Sequence, residues 1–249
     1  MSSQPNVTTD DTLLSRVECK YLVRQDQVDG IREFIQPFVH RDRFARGHAD
    51  GRYTISSLYL DSPEMALYRS TTRGIKNRLK LRIRTYTDEP KDPTFFEVKK
   101  RMNGIVYKFR QPVPRAEAMD LLERNTLETE QGTDLSKFIS LRDLHGAEPV
   151  MRVKYKREAF VSQSADPVRI TFDNELEGSV TVDAELRHEG GDWITVPMDH
   201  VILELKFTNL YPSWVGRMVN EFQLERTSVP KYVLCVDEAS RLGAMRMVI

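Results

Sequence analysis

Three stretches of this chain place a carboxylate and an ammonium group two residues apart: Glu18-Cys19-Lys20, Glu97-Val98-Lys99 and Glu204-Leu205-Lys206. A fourth, Leu79 to Arg84, alternates Lys80, Arg82 and Arg84 with Leu79, Leu81 and Ile83. A fifth sets Lys108 and Arg110 against Tyr107 and Phe109. Residues two apart on a strand share a face, so each stretch has one charged and one apolar side. Cations crowded on one face repel and lose hydration, which is tolerable where a polyanion supplies the missing charge. Carboxylates among them suit a divalent metal that bridges phosphate oxygens. No Ser-His-Asp or Cys-His set is evident, since His40, His48, His145, His188 and His200 are scattered along the chain.

The elements that must position these residues are mostly strands. Period-two alternation predicts strands near Leu14 to Val23, Tyr53 to Asp61, Asn77 to Thr87, Thr94 to Met102, Ile105 to Pro112, Val150 to Phe160, Arg169 to Asp173, Val180 to Arg187, Trp193 to Pro197 and His200 to Phe207. Asn103-Gly104 favours a tight hairpin turn, and Gly190-Gly191 suggests a second hairpin. Val28, Ile31, Ile35 and Phe38 repeat at helical spacing, as do Trp214, Met218 and Phe222 after Pro212. Ser62-Pro63 reads as a cap opening a short helix through Tyr68, and further helices are expected over Arg115 to Arg124 and Asp134 to His145. Residues 125–133 read as a polar loop.

With 249 residues and 40% hydrophobic content the chain can fill one sizeable core. Lys and Arg total 37 and so do Asp and Glu, which disfavours a nucleic-acid binder with a globally basic surface but allows one segregated basic site. Cys19 and Cys235 fall in apparent strands without metal-ligand spacing and read as buried thiols. No apolar run reaches the ~18 residues of a spanning helix, so the chain reads as soluble and cytoplasmic. Residues 1–12 read as a disordered leader, and 13–249 as one domain. If the charged faces turn inward, the aliphatic faces are covered by amphipathic helices and the centre is a polar tunnel.

Several short segments, in order, carry a resemblance: Glu18-Cys19-Lys20-Tyr21, Ser57-Leu58-Tyr59-Leu60-Asp61, Leu81-Arg82-Ile83-Arg84-Thr85-Tyr86, Phe96-Glu97-Val98-Lys99, Tyr155-Lys156-Arg157, Val168-Arg169-Ile170-Thr171-Phe172-Asp173, Leu203-Glu204-Leu205-Lys206 and Pro230-Lys231-Tyr232. Together they resemble the vacuolar-transporter-chaperone (VTC) domain of the triphosphate-tunnel superfamily. The resemblance implies an α+β, mainly β fold: a closed antiparallel β-barrel with peripheral helices. It implies a metal-dependent phosphotransferase that moves the ATP γ-phosphate onto inorganic polyphosphate.

On that resemblance Lys20, Arg82, Arg84, Lys99 and Arg157 are catalytic. The phosphate-binding positions are these five with Lys80, Lys108, Tyr155, Arg169, Lys206 and Lys231, the last placed in a final strand. Glu204 and Glu18 would hold manganese or magnesium. The implied partners are ATP and polyphosphate, with no nucleic acid and with a separate membrane protein conceivable. Two positions depart from the family pattern, Pro230 replacing a serine and Ser228 replacing a lysine with Arg226 nearby, and as a last departure, from the hydrolytic relatives of the superfamily, Arg16 stands where they carry a first-strand glutamate. The last departure favours the VTC branch over the rival triphosphate hydrolase. The other rival is a non-catalytic sensor of polyphosphate, inositol phosphate or nucleotide.

Overall fold

Alternating strands need a partner on each edge and a cover on each apolar face, and the observed chain supplies both. The computed structural model describes residues 17–103, 105–124, 130–164, 166–208 and 212–245. The first half runs β1 (Val17–Arg24), α1 (Val28–Ile35), β2 (Val39–Arg41), β3 (Arg52–Asp61), α2 (Ala66–Thr72), β4 (Arg78–Thr85), β5 (Thr94–Met102) and β6 (Ile105–Val113). The second half runs α3 (Arg115–Arg124), α4 (Asp134–His145), β7 (Glu148–Ser162), β8 (Arg169–Val180), β9 (Ile194–Thr195), β10 (His200–Phe207), α5 (Ser213–Glu221) and α6 (Lys231–Arg241).

All ten strands join one antiparallel sheet, in the order β1-β10-β8-β7-β3-β4-β5-β6, with β2 on β7 and β9 on β8. The expected closed barrel is corrected to an open, strongly curled half-barrel, because β1 and β6 are edges with no backbone ladder between them. Side chains bridge the seam instead: Lys99 Nζ of β5 donates to both carboxylate oxygens of Glu18 on β1 at 3.1 Å. A long lysine can span a gap that backbone pairing, which needs strands ~4.8 Å apart, cannot.

Directly opposed residues share a face, so the register assigns the two sides. The convex side is aliphatic and helix-covered. Cys19, Tyr21, Val23, Ile170, Phe172, Leu203 and Leu205 pack with Val28, Ile31 and Ile35 of α1 and Trp214, Val215 and Met218 of α5. Leu58, Leu60, Leu81, Ile83, Phe96 and Val98 pack with Ala118 and Leu121 of α3 and Phe138 of α4. Burying such side chains contributes ~1.5–3 kcal/mol each, which is what holds the curl.

Several expectations need correction. Lys231 and Cys235 lie on helix α6, where strands were expected, and α6 packs on the concave side through Tyr232, Cys235, Val236 and Ala239 against Tyr53, Ile55, Tyr59, Met151, Val153 and Tyr155. Residues 181–187 form no strand, and Gly190-Gly191 lies in the long connection by which the chain doubles back from β8 to pair the two-residue β9 against it. The short helix begins at Ala66 after Met65 in the cap position, and Asp61 holds its first turn, its carboxylate accepting the Leu67 and Tyr68 amides at 2.8 and 2.7 Å while Ser62 Oγ accepts Ala66 N at 3.1 Å. Asn103 has φ 49°, as the expected hairpin turn requires. The leader over residues 1–12, Arg16, Gly104 and residues 125–129 of the polar loop lie outside the described residues.

Seating α6 on the sheet depends on one glycine. A Cβ on Gly178 of β8 would stand 2.7 Å from Cys235 Cβ and 3.2 Å from its Sγ. Gly178→Ala is expected to destabilise the fold by about 1–3 kcal/mol, the usual cost of overpacking, read as a lower midpoint in urea denaturation.

Candidate functional site

The concave face gathers what the sequence scattered. Moving across the sheet from its first edge, it carries Glu18 and Lys20 of β1, Glu204 and Lys206 of β10, Arg169, Thr171 and Asp173 of β8, and Tyr155 and Arg157 of β7. Tyr53, Ser57 and Tyr59 of β3 follow, then Lys80, Arg82 and Arg84 of β4, Glu97 and Lys99 of β5, and Lys108 and Arg110 of β6. Lys231 enters from the N-terminus of α6, its ammonium 2.7 Å from Asp173 and 4.6 Å from the Tyr155 ring centroid. All thirteen residues singled out from the sequence therefore lie on the concave side, although they come from seven strands and a helix.

Carboxylates are set between the cations. Glu97, nearly fully buried, meets Arg82 at 2.6 Å, Lys108 at 3.2 Å, Arg110 at 3.4 Å and Arg84 at 3.9 Å. Burial opposes its charge, but Arg82, Arg84, Lys108 and Arg110 outweigh that and hold it well below the usual carboxylate range. Asp173 accepts a two-pronged pair from Arg157 at 2.6 and 2.7 Å. Against its burial, Arg157 and Lys231 hold it at about 2. Glu204 meets Lys206 at 3.3 Å, Arg157 at 3.4 Å and Lys20 at 3.7 Å, and Glu18 meets Lys99 at 3.1 Å, Lys20 at 3.4 Å and Lys206 at 3.8 Å. Asp42, just after β2, binds Arg169 at 2.6 Å.

Even so, eleven cations face five carboxylates, and the excess is visible in the lysines. Lys80 has no carboxylate partner among the described residues; burial, with Lys20, Lys99, Arg82 and Arg78 around it, pushes its ammonium down to about 7. Burial and Arg82, Arg110 and Arg84 bring Lys108 to about 8 despite Glu97. Hydroxyls complete the lining: Arg82 donates to Tyr59 Oη at 3.1 Å and Arg169 to Tyr53 Oη at 3.1 Å.

Glu18 and Glu204 face the same lumen; burial and then Glu204 raise Glu18's carboxyl, but Lys206, Lys99 and Lys20 outweigh both and hold it below its ordinary value. Two hard carboxylates side by side fit Mg²⁺ or Mn²⁺, which take one or two protein carboxylates and complete the shell with water and phosphate oxygens. No group of three or more metal-ligating side chains occurs among the described residues, so the protein offers that pair and no cage.

Sequence reasoning passed over several members of this surface, four of them charged or bonded to its cations. Asp173 lay in a quoted motif without a role, although it alternates with Arg169 and Thr171. Arg110 was placed on the Lys108 face but left out of the binding set. Tyr59 was quoted without a role, and Asp42, in a loop after a three-residue strand, carried no periodic signal at all.

A curled antiparallel sheet with a cation-lined concave face and an aliphatic, helix-covered convex face defines a half-barrel of the tunnel type. The chain belongs to the VTC domain family, whose model matches residues 15–239. Among solved structures it is similar to a candidate adenylate cyclase from Bacillus halodurans, with TM-score 0.50 and 12% identity over 87% of this chain and 96% of that one. The PH1819 protein from Pyrococcus horikoshii OT3 gives TM-score 0.44 and 15% identity over 91% and 99% of the two chains, and a Mimivirus capping enzyme triphosphatase gives 0.32 and 8% over 83% and 89%. At such identities only the first likeness bears on this chain, and it concerns the fold alone. No curated protein matches. No helix among the described residues is long and apolar enough to cross a membrane.

Removing one partner from a buried pair leaves the other charge uncompensated. Asp173→Asn strands Arg157 and Lys231 and is expected to cost about 3–5 kcal/mol in chemical denaturation. In the parent protein Asp173's carboxyl is depressed on folding, so its stabilisation is complete above pH ~4 and is lost as pH falls through about 2. A stability–pH profile of the variant should be flatter than the parent's in that window.

Proposed function

We propose that this protein is a polyphosphate polymerase-like phosphotransferase. The observation that carries the proposal is the surplus of cations over carboxylates on one concave face, where Lys80 is surrounded by cations and has no carboxylate partner among the described residues. A surface like this is poorly satisfied until a multiply charged anion lies on it, and a chain of phosphates supplies one charge after another along the strands. Membership of the VTC family and the arrangement of the catalytic and binding candidates around this face support the same reading.

In this mechanism the side chains position and neutralise, as phosphoryl transfer chiefly requires. Lys20, Lys206, Arg157, Arg169 and Lys231 hold the nucleotide's phosphates on one wall. Arg82, Arg84, Lys80, Lys99 and Lys108 hold the polyphosphate end on the other. A terminal phosphate oxygen of the chain attacks the γ-phosphorus, the bond from that phosphorus to the β-bridging oxygen breaks, and ADP leaves with the electron pair. The attacking oxygen is already anionic, so no protein base is needed. Tyr155 presents its hydroxyl to phosphate, while Glu97 and Asp173 keep the guanidinium groups of Arg82 and Arg157 in fixed orientation. Glu18 and Glu204 would hold Mg²⁺ or Mn²⁺, which supplies charge neutralisation at the phosphate oxygens.

Incubation with ATP and manganese separates the readings: long-chain polyphosphate supports the polymerase, free phosphate alone a hydrolase, and tight binding without either product a sensor. Arg82→Ala and Lys99→Ala should each weaken tripolyphosphate binding roughly 10-fold or more, the scale of a charge-assisted contact. Intact binding in both variants would sink the assignment of this face.

Lys80 yields a pH test. Its ammonium titrates at about 7 in the free protein, and a bound polyanion returns it toward its ordinary range. Binding must therefore take up a proton above pH 7, and affinity must fall as pH rises through 7 to 8. Calorimetry of tripolyphosphate binding in buffers of different ionisation enthalpy measures that uptake. Lys80→Gln should remove about half a proton or more at pH 7.5, which isolates the side chain from the ligand's own titration.

A further inference from the structure

The two ends of the concave face differ in kind. At the end where β4 starts, the face continues as Arg78 opposite Arg101, with no carboxylate partner for either among the described residues. At the other end it becomes aromatic. Tyr86 and Phe95 meet edge-on with centroids 5.6 Å apart, and Tyr53 and Phe44 pack against Tyr86 at 6.5 and 5.9 Å. Arg110 lies 3.9 Å from the Phe95 centroid and donates to Tyr86 Oη at 3.2 Å, tying this cluster to the Glu97 network.

Phe44 is the outermost ring. It lies parallel to Tyr86, within 4°, yet remains 45% exposed. A lone exposed phenylalanine is ordinary, but the loop that carries this one is pinned. Asp42 Oδ1 accepts the Phe44 and Ala45 amides at 3.1 and 2.8 Å, Asp42 Oδ2 binds Arg169 at 2.6 Å, and Arg169 donates to Tyr53 Oη at 3.1 Å. The same buried carboxylate thus sets both an exposed aromatic face and a lumen cation. Arg43 covers the ring with its exposed guanidinium, 4.7 Å from the centroid.

We propose that Phe44 is the stacking platform for the base of a nucleoside triphosphate, which enters at the aromatic mouth with its phosphates reaching Arg169 and the cations beyond. The inference rests on the phosphotransferase reading and adds to it the site and the orientation of the nucleotide. A planar base can take the place of the Arg43 guanidinium on the ring, and that guanidinium can stack on the base's outer side, since both contacts draw on the same π-face. The growing chain then occupies the opposite end, where Arg78 and Arg101 continue the face, so the lumen has a direction.

The test compares ATP with tripolyphosphate, both with Mg²⁺, by calorimetry on the parent and on Phe44→Ala and Phe44→Trp. Loss of one base–aromatic stack predicts ATP binding weaker by about 5- to 150-fold in Phe44→Ala. Tripolyphosphate, which has no base, should change by less than about twofold, and Phe44→Trp should bind ATP like the parent. Unchanged ATP affinity in Phe44→Ala, or equal weakening of both ligands, overturns the platform. A parent protein that binds tripolyphosphate and no ATP overturns it as well while leaving the anion tunnel standing. A parent that binds neither ligand overturns the proposed function itself.

Discussion

Like charges on one sheet face repel, and most of what is unusual in this molecule follows from holding eleven of them together. Most of the buried carboxylates serve more than one cation: Glu97 faces Arg82, Arg84, Lys108 and Arg110 from the two neighbouring strands, and Glu204 faces Lys20, Arg157 and Lys206. Such an arrangement holds the guanidinium and ammonium groups in place while leaving them short of negative charge. Full neutralisation by matched carboxylates would have given a more stable lumen with nothing left to attract an anion. The stability forgone here is offset on the convex side, where aliphatic faces pack beneath α1, α3, α4 and α5.

The open seam belongs to the same logic. A fully hydrogen-bonded barrel would fix the distance between the first and last strands, whereas Glu18 and Lys99 close the wall with side chains alone. Those two groups are also part of the lining, so the closure and the candidate binding surface share atoms. A ligand that competes for Lys99 acts directly on the contact that spans the sheet edges.

Helix α6 supplies the remaining constraint. It enters the concave side, stacks Tyr232 on Tyr59 at 4.8 Å, and presents Lys231 to Asp173. Tyr59 in turn accepts from Arg82, so the helix bears on both walls of the lumen. Pro230 caps that helix, with φ −85°.

Period-two alternation determined a great deal unaided. Strands β5 and β10 and helices α3 and α4 fall at the boundaries read from sequence, and the sorting of charge inward and aliphatic residues outward was legible because five separate stretches carried the same contrast. Three things were decided only in three dimensions. Whether the sheet closed depended on the distance between two edges, to which no local pattern speaks. The sequence Lys231-Tyr-Val-Leu-Cys-Val mixes β-branched and aromatic residues that suit a strand, and it became helical because the concave side needed a packed face and β8 offered Gly178 to receive it. Asp42 and Phe44 sit in a loop without periodicity, and their significance arises from a single contact with Arg169, more than a hundred residues away along the chain. Local alternation is written into neighbouring residues, whereas pairing of distant charges exists only once the chain has folded.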